Sequence, residues 1–558
     1  MTTTRRAAGG VRRADRASGR PPFGRLLVAN RGEIALRVIR ACRELGVESV
    51  AVYSDADASA RHVRAADHAV RIGPAPAGES YLDAARIIEA ALTTGAEAIH
   101  PGYGFLSERA AFAEACHAAG LVFVGPEAAT LAGLGDKLAA RRAAAAAGVP
   151  VVPGTLEPAP LDRPADVAGL IEVADGIGWP LLVKAAAGGG GRGMRRVARP
   201  ADLPAALAAA SREAAAFFGD GSVYLERLIE DARHIEVQLL GDAEGTVVAL
   251  GERDCSVQRR HQKLVEEAPA PGLSTGQRRE LHALAVAVAR GVGLRNAATC
   301  EFLRAPDGHF WFLEVNARLQ VEHGVTELVA GLDIVREQFW LAAGAALSDG
   351  ALAAAAMAAT PTSHAIEVRL SAEDPAREFA PAPGRVTRWV MPAGPGVRVD
   401  TALEPGERIP PDYDPLIAKL MVHASDRPAA IERLRRALDE LDIGGVQTTL
   451  PFDRFVVRDP SFRSGDLSTG WVPEHWDGSK NRSDAVRRAL LAAAVASLAR
   501  ETGGAPGSEG AAAGAALDGA TPGASAQRGV AAGGGDRRPG PSRWRTSGLV
   551  ATNDRWPA

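Results

Sequence analysis

Cysteine is scarce in this chain: its 558 residues include four, Cys42, Cys116, Cys255 and Cys300, far apart and with no C-x-x-C pair. That spacing excludes a disulfide framework and a structural zinc site, and it reads as reduced thiols in a cytoplasmic protein. No apolar run approaches the roughly 20 residues that span a bilayer, and the N-terminus lacks the apolar core of a secretory signal. Net charge is nearly absent too. A balance of −3 from 64 basic and 67 acidic residues makes no case for a nucleic acid or an anionic membrane as partner, so any anion site must be local. There is no internal repeat. Lysine is the rarest of the charged residues: of 64 basic residues only five are lysine, at 137, 184, 263, 419 and 480. In an Ala-, Gly- and Arg-rich chain this reads as a bias that replaced lysine wherever arginine was tolerated. A lysine that stays then marks a place needing a compact ammonium, such as a tight phosphate site, although chance survival is the alternative at any one position.

What is present is 46% apolar, enough for large cores and three domains of ordinary size. Residues 1–22 are basic and without apolar periodicity, and read as a disordered extension or a misassigned start rather than a transit peptide. Residues 25–30 form a buried strand, Ile34, Val38, Ile39, Cys42 and Leu45 mark one helix face, and residues 49–54 form a second strand. With further strands at 98–99 and 121–124, this predicts a parallel α/β domain over 23–135. Its first turn, Asn30-Arg31-Gly32-Glu33, has one glycine instead of G-x-G-x-x-G, which disfavours a dinucleotide. Asp55 and Asp57 read as a solvated turn. An α+β block follows over 136–345, then a mixed block over 360–478. The last stretch, 479–558, is an Ala/Gly-rich low-complexity tail, helical at first and from about 503 unable to bury a core.

Four places carry chemistry. The run Gly188-Gly189-Gly190-Gly191-Arg192-Gly193 lies between two predicted strands, directly after Lys184. Glycines let the backbone offer its N–H groups to an oligophosphate, and a bare flexible hairpin would look similar but for that lysine. No G-K-[ST] follows, so it is not a Walker A loop. Second, residues 313–322 alternate, with Glu314, Asn316, Arg318, Gln320 and Glu322 on one face if the chain is extended. Ten extended residues would reach about 33 Å, so the chain must bend. Third, Asp307-Gly308 is a two-residue hairpin signal, and counting outward from it places Glu301 opposite Glu314. Facing carboxylates repel, and a divalent cation with oxygen ligands and Asn316 nearby, Mg²⁺ on phosphates, removes that cost; a register shifted by one would separate the two acids instead. Fourth, His234 to Gln238 alternate, and residues 258–263 concentrate donors; the latter reads either as an anion site or as a solvated charge run.

Together these residues resemble the biotin carboxylase family of the ATP-grasp superfamily, over about 25–476. The matching strings are A-N-R-G-E-I-A-L-R, H-P-G-Y-G-F-L-S-E, G-G-G-G-R-G-M, E-R-D-C-S-V-Q-R-R-H-Q-K and E-V-N-A-R-L-Q-V-E-H. The resemblance implies an N-terminal Rossmann-like domain, a central ATP-grasp domain with a glycine-rich lid, and a C-terminal domain completing a biotin site. It implies that Lys137, Lys184 and the lid glycines Gly189, Gly190 and Gly191 contact ATP, that Glu226 to Leu228 hold adenine, and that His234, Gln258 and His261 line the nucleotide site. Glu301, Glu314 and Asn316 would carry two Mg²⁺ or Mn²⁺ ions. Lys263, Arg318, Gln320 and Val321 would cradle bicarbonate, Glu322 would be its general base, and Arg369 would stabilise the biotin enolate.

The activity so implied is ATP-dependent carboxylation of biotin through carboxyphosphate, the first half-reaction of an acetyl-CoA or acyl-CoA carboxylase. Biotin would be a substrate on a carrier protein, with carrier and carboxyltransferase supplied in trans, and members of the family commonly form homodimers. Two other readings remain: a catalytically inactive nucleotide-binding scaffold, and a truncated α-subunit of a propionyl- or methylcrotonyl-CoA-type carboxylase. Three positions depart from the family pattern. Gly324 replaces a proline, which predicts a looser strand behind Glu322, Ala317 replaces a threonine, and Arg227 a lysine.

Overall fold

The computed structural model describes residues 16–158, 164–186 and 194–502, so Gly189, Gly190 and Gly191 and everything beyond 502 lie outside the described residues. The chain divides into two units, Met1–Trp476 and Asp477–Ala558. The second opens with one helix, Gly478–Thr502, over the Ala-rich stretch.

The first unit begins with a five-stranded parallel sheet: β1 (Arg25–Val28), β2 (Glu48–Ser54), β3 (His68–Gly73), β4 (Ala98–His100) and β5 (Val122–Phe123), in the order β3-β2-β1-β4-β5. The strand order reverses at β1, so the loops after β1 and β4 open a crevice at the carboxyl ends of the strands. Asn30 closes that crevice's floor, donating to the carbonyls of Pro101 and Tyr103 at 2.8 Å each. Gly102 lies at φ +63°, and a Cβ there would stand 2.8 Å from the Asn30 amide, so this loop position requires glycine. Asp57 is not solvated as its sequence context suggests. It is buried, with Arg31 at 2.6 and 2.7 Å and the Tyr81 hydroxyl at 2.6 Å, while Asp55 is exposed beside Arg71. The described part of the N-terminal extension is likewise ordered. Arg16 starts a short 3-10 turn, bonds Glu337 at 2.8 and 3.0 Å, and stacks over Trp340.

A small antiparallel sheet follows, β6 (Leu181–Ala185) flanked by β7 (Arg195–Val197) and β8 (Val223–Arg227). The largest element is an eight-stranded antiparallel sheet. In sequence order its members are β9 (Arg233–Gly241), β10 (Val247–Arg259), β11 (Gln262–Ala268), β12 (Asn296–Arg304), β13 (Phe310–Asn316) and β14 (His364–Ser371), then the strands Val397–Asp400 and Leu416–Ala424. Across the sheet they run β13-β12-β9-β10-β11-β14, then Leu416–Ala424 and Val397–Asp400. The sequence break between 345 and 360 is therefore no break in the sheet, because β11 pairs with β14, Glu266 facing Glu367.

Glu267 secures that junction. Its buried carboxylate accepts from His364 at 2.8 Å and from Arg427 at 2.7 and 3.1 Å. Burial alone would raise its pKa, but the His364 bond and the Arg427 charge outweigh it and hold the group down at about 2. A depressed acid contributes stability that is complete above its unfolded pKa near 4.5 and is lost as pH falls toward 2, about 3 kcal/mol here. Glu267→Gln should therefore unfold at lower urea than the parent at pH 7, with the gap closing on acidification from pH 4.5. A gap independent of pH would show that the carboxylate charge contributes nothing.

Candidate active site

The hairpin β12–β13 does place Glu301 opposite Glu314, and Thr299 opposite Asn316, but not through a two-residue turn. Arg304 pairs with Phe310 and Ala305 bonds the His309 carbonyl, leaving Pro306-Asp307-Gly308 as a three-residue loop with Gly308 at φ +94°. That loop alone would misalign the acids by one residue. A bulge between Glu301 and Phe302 restores the register.

The alternation read over 313–322 holds only as far as Asn316, where β13 ends. The chain then turns, and Glu322 stands at the N-cap of the helix His323–Ala330. The turn is what folds Gln320 and Glu322 back over the sheet. Gly324 lies in that helix rather than in a strand, and a Cβ on it would meet the Met421 sulfur at 2.3 Å. The thioether fills the space that a side chain would need, so the position is packed, not loosened.

Cross-strand pairing sets Glu314, Glu301, Glu236 and Arg253 in one row on four adjacent strands. Arg253 is fully buried and uses every donor. Nε bonds Glu236 at 2.5 Å, Nη1 bonds Gln238 and Thr326 at 2.9 and 2.8 Å, and Nη2 bonds Thr299 and Gln320 at 3.3 and 2.7 Å. Beside it a tight turn at Arg260-His261, with φ of +49° and +66°, joins β10 to β11 and brings Lys263 and Gln258 face to face. The Lys263 ammonium then sits among three carboxylates, 2.5 Å from Glu236, 2.9 Å from Glu301 and 2.8 Å from Glu322.

Glu322 is spanned from the other side by Arg369, whose Nη2 is 3.0 Å away and whose Nε bonds Glu266 at 2.6 Å. Burial acts to raise the Glu322 pKa, yet Lys263, Arg369 and Arg253 hold it well below the usual carboxylate range. Glu266 moves the opposite way, pushed up to about 7 by burial and by the Glu322 charge against the pull of Arg369. Gln320 bonds Glu301 at 2.8 Å, and Arg318 bonds Glu108 and Asn316 at 3.1 Å each. The Val321 carbonyl accepts from Lys419 at 2.8 Å.

The row of acids has the chemistry of a hard-cation site. Glu301 is fully engaged, by Lys263, by Asn316 and Gln320 at 2.8 Å each, and by His234 at 2.9 Å. Among the described residues Glu314 has only a 3.5 Å approach from Asn316, and burial together with the Glu301 charge raises its pKa. A half-buried carboxylate so poorly partnered, facing another carboxylate, fits Mg²⁺, and the Asn316 amide, which here turns its N–H toward both acids, stands beside them.

At the next edge, burial and then the charges of Lys184, His234 and Lys137 lower the His261 pKa, so three cationic groups lie around an imidazole held toward its neutral form, a setting that suits an anion. Gln258 approaches His234 at 3.4 Å. The Lys184 ammonium is buried against Glu226, which also binds Arg141. The Glu226 side chain thus points into its own ion cluster, and the Leu228 N–H bonds the Pro180 carbonyl at 2.9 Å. Sequence reasoning gave no role to Glu236, Arg253, Glu266 or Lys419. The pairing of Arg253 with Glu236 across adjacent strands is a signal for those two, and lysine scarcity for Lys419.

Three family models cover the chain: "Biotin carboxylase, N-terminal domain" over 22–131, "Carbamoyl-phosphate synthase L chain, ATP binding domain" over 136–349 and "Biotin carboxylase C-terminal domain" over 367–474. The biotin carboxylase of Allochromatium vinosum is 48% identical over 454 residues, 80% of this chain and 97% of that protein. The biotin carboxylase of Pseudomonas aeruginosa is 47% identical over 452 residues, 80% of this chain and 97% of that one. Among solved structures, the biotin carboxylase domain dimer of Hydrogenobacter thermophilus 2-oxoglutarate carboxylase, bound to MgADP, ADP and bicarbonate, superposes with a TM-score of 0.77. It is 44% identical, and the match covers 81% of this chain and 98% of that one.

Proposed function

The chain belongs to the biotin carboxylase family of ATP-dependent ligases, and from that premise we propose that it carboxylates biotin on a carrier protein, with bicarbonate and ATP as co-substrates. The observation that carries the reading is the Lys263 ammonium held among Glu236, Glu301 and Glu322 beside the Glu301–Glu314 pair. Lys137, Lys184, His234 and His261 receive the phosphates, and Glu301, Glu314 and Asn316 hold Mg²⁺ or Mn²⁺, which neutralises phosphate charge during transfer. Lys263 and Arg318 position bicarbonate; its oxygen attacks the γ-phosphorus, ADP leaves, and Glu322 takes the proton. The two cations on Glu322 keep it ionised but make it a weak acceptor until the bicarbonate anion draws on Lys263. Carboxyphosphate then breaks down to CO₂ and phosphate beside biotin, the phosphate takes the biotin N1 proton, Arg369 stabilises the resulting enolate, and N1 attacks CO₂ to give carboxybiotin.

The carrier, like the carboxyltransferase that consumes carboxybiotin, is a separate cytoplasmic partner, and the acceptor is an acyl-CoA such as acetyl-CoA. Among this chain's lysines, Lys184, Lys263 and Lys419 are committed to buried or half-buried ion pairs, Lys137 starts a helix, and none lies in a Met-Lys-Met hairpin. A dimer, as in the H. thermophilus domain, belongs to the same reading.

The test is ATP cleavage measured with bicarbonate, alone and with free biotin or a biotinylated carrier. Binding of ATP without cleavage under either condition would leave only a nucleotide-binding scaffold. Within the assay, Arg369→Ala should spare bicarbonate-dependent cleavage to within about tenfold yet cut carboxybiotin formation by about 10² or more, the size of one lost charge-stabilising group. Equal loss of both would move Arg369 to the first step.

A further inference from the structure

Lys419 is one of the five retained lysines, fully buried, and the chemistry above gives it no task. It stands on the strand Leu416–Ala424 directly opposite Arg369 on β14. Directly paired residues in an antiparallel ladder project to the same face, and these two reach the same short turn. Arg369 bonds the Glu322 carboxylate at 3.0 Å, and Lys419 donates to the Val321 carbonyl at 2.8 Å. The Lys419 ammonium also lies 3.3 Å from Glu33 and 3.9 Å from Asp400. Glu33 belongs to the helix Gly32–Leu45 that follows β1, and it takes the Tyr103 hydroxyl from the loop after β4. One ammonium therefore ties three segments far apart in sequence: the N-terminal sheet, the turn carrying Glu322, and the far side of the large sheet.

Resting on the function proposed above, we infer that Lys419 is a positioning residue: it fixes the Val321–Glu322 peptide and couples the seat of the base to the N-terminal crevice through Glu33. Burial alone would drive the proton off Lys419, but Glu33, Glu367 and Asp400 keep it on. Arginine would not serve. A carbonyl and two carboxylates that converge on one point from three segments, in a space with no exposure, suit a compact ammonium better than a wider planar guanidinium fork, which accounts for a lysine surviving here.

Displacing a reacting group by about 1 Å can cost about 10²-fold in rate. Lys419→Met is therefore expected to lower kcat for bicarbonate-dependent ATP cleavage by about 10- to 100-fold, with KM for ATP within about twofold, since the phosphate site is untouched. Loss of packing alone would lower thermal stability and reduce active protein without separating kcat per active site from KM. Glu33→Gln, which keeps Lys419 but removes its nearest counter-charge, should show the same split in milder form, and it carries the test if Lys419→Met fails to fold. Parent-like kcat in whichever folded variant is measured overturns the inference. Absence of bicarbonate-dependent cleavage in the parent chain would instead overturn the function on which it rests.

Discussion

Glu322→Gln is expected to cut bicarbonate-dependent ATP turnover by about 10²- to 10⁴-fold, the range a positioned general base contributes, while nucleotide still binds. The amide is isosteric and remains an acceptor for Arg369 or Lys263, so the turn before the helix His323–Ala330 keeps its shape. Lys263 retains Glu236 and Glu301 as counter-charges, which spares the core an unpaired ammonium. What disappears is the only carboxylate reached by both Lys263 and Arg369 among the described residues. Two measurements check this: turnover against bicarbonate concentration, and ADP affinity by calorimetry. Turnover above a tenth of the parent's would remove Glu322 as the base, and a matching loss of ADP affinity would mean that the substitution disturbed the whole site.

The sequence made parts of this arrangement legible, and the reasons differ from place to place. The parallel N-terminal sheet followed from apolar strands alternating with helices, yet β3 escaped, because an edge strand with half its residues exposed carries no apolar run. The Glu301–Glu314 pairing was reached by counting from a two-residue turn, whereas the protein reaches it through a three-residue loop and a compensating bulge. Bulges have no fixed sequence signature, so the inference succeeded because two one-residue errors cancelled. The far half of the site was less legible. Arg253, Glu236 and Lys419 look like ordinary members of strands until sheet order brings β9, β10 and the strand Leu416–Ala424 under one turn. Lysine scarcity flagged residue 419, but a strand position offered no hint of what it held.

The two facing acids should fail in opposite ways when neutralised. Glu301→Gln removes a carboxylate bonded by Lys263, Asn316 and Gln320 and approached by His234. Burial opposes its ionisation, but Lys263 and His234 hold its pKa well below the usual range, so its charge is part of the fold. Removing that charge should cost about 1–3 kcal/mol of stability, the cost of leaving buried partners unsatisfied. Glu314 is the reverse case. Its pKa is raised by burial and by Glu301, and its one approach among the described residues is the 3.5 Å contact with Asn316. Glu314→Gln relieves a like-charge pair and should leave the unfolding midpoint unchanged or higher. Both variants should nevertheless lose metal-dependent ATP turnover by about 10²-fold or more, because each removes an oxygen ligand that would hold the ion, and that charge stabilisation is worth several kcal/mol. The decisive pairing is thermal denaturation with a Mg²⁺ titration of turnover. A Glu314→Gln protein that is as stable as the parent but inactive at every Mg²⁺ concentration separates metal binding from folding. If it were active, the hairpin acids would be a structural feature of the sheet and the ion would have to be held elsewhere.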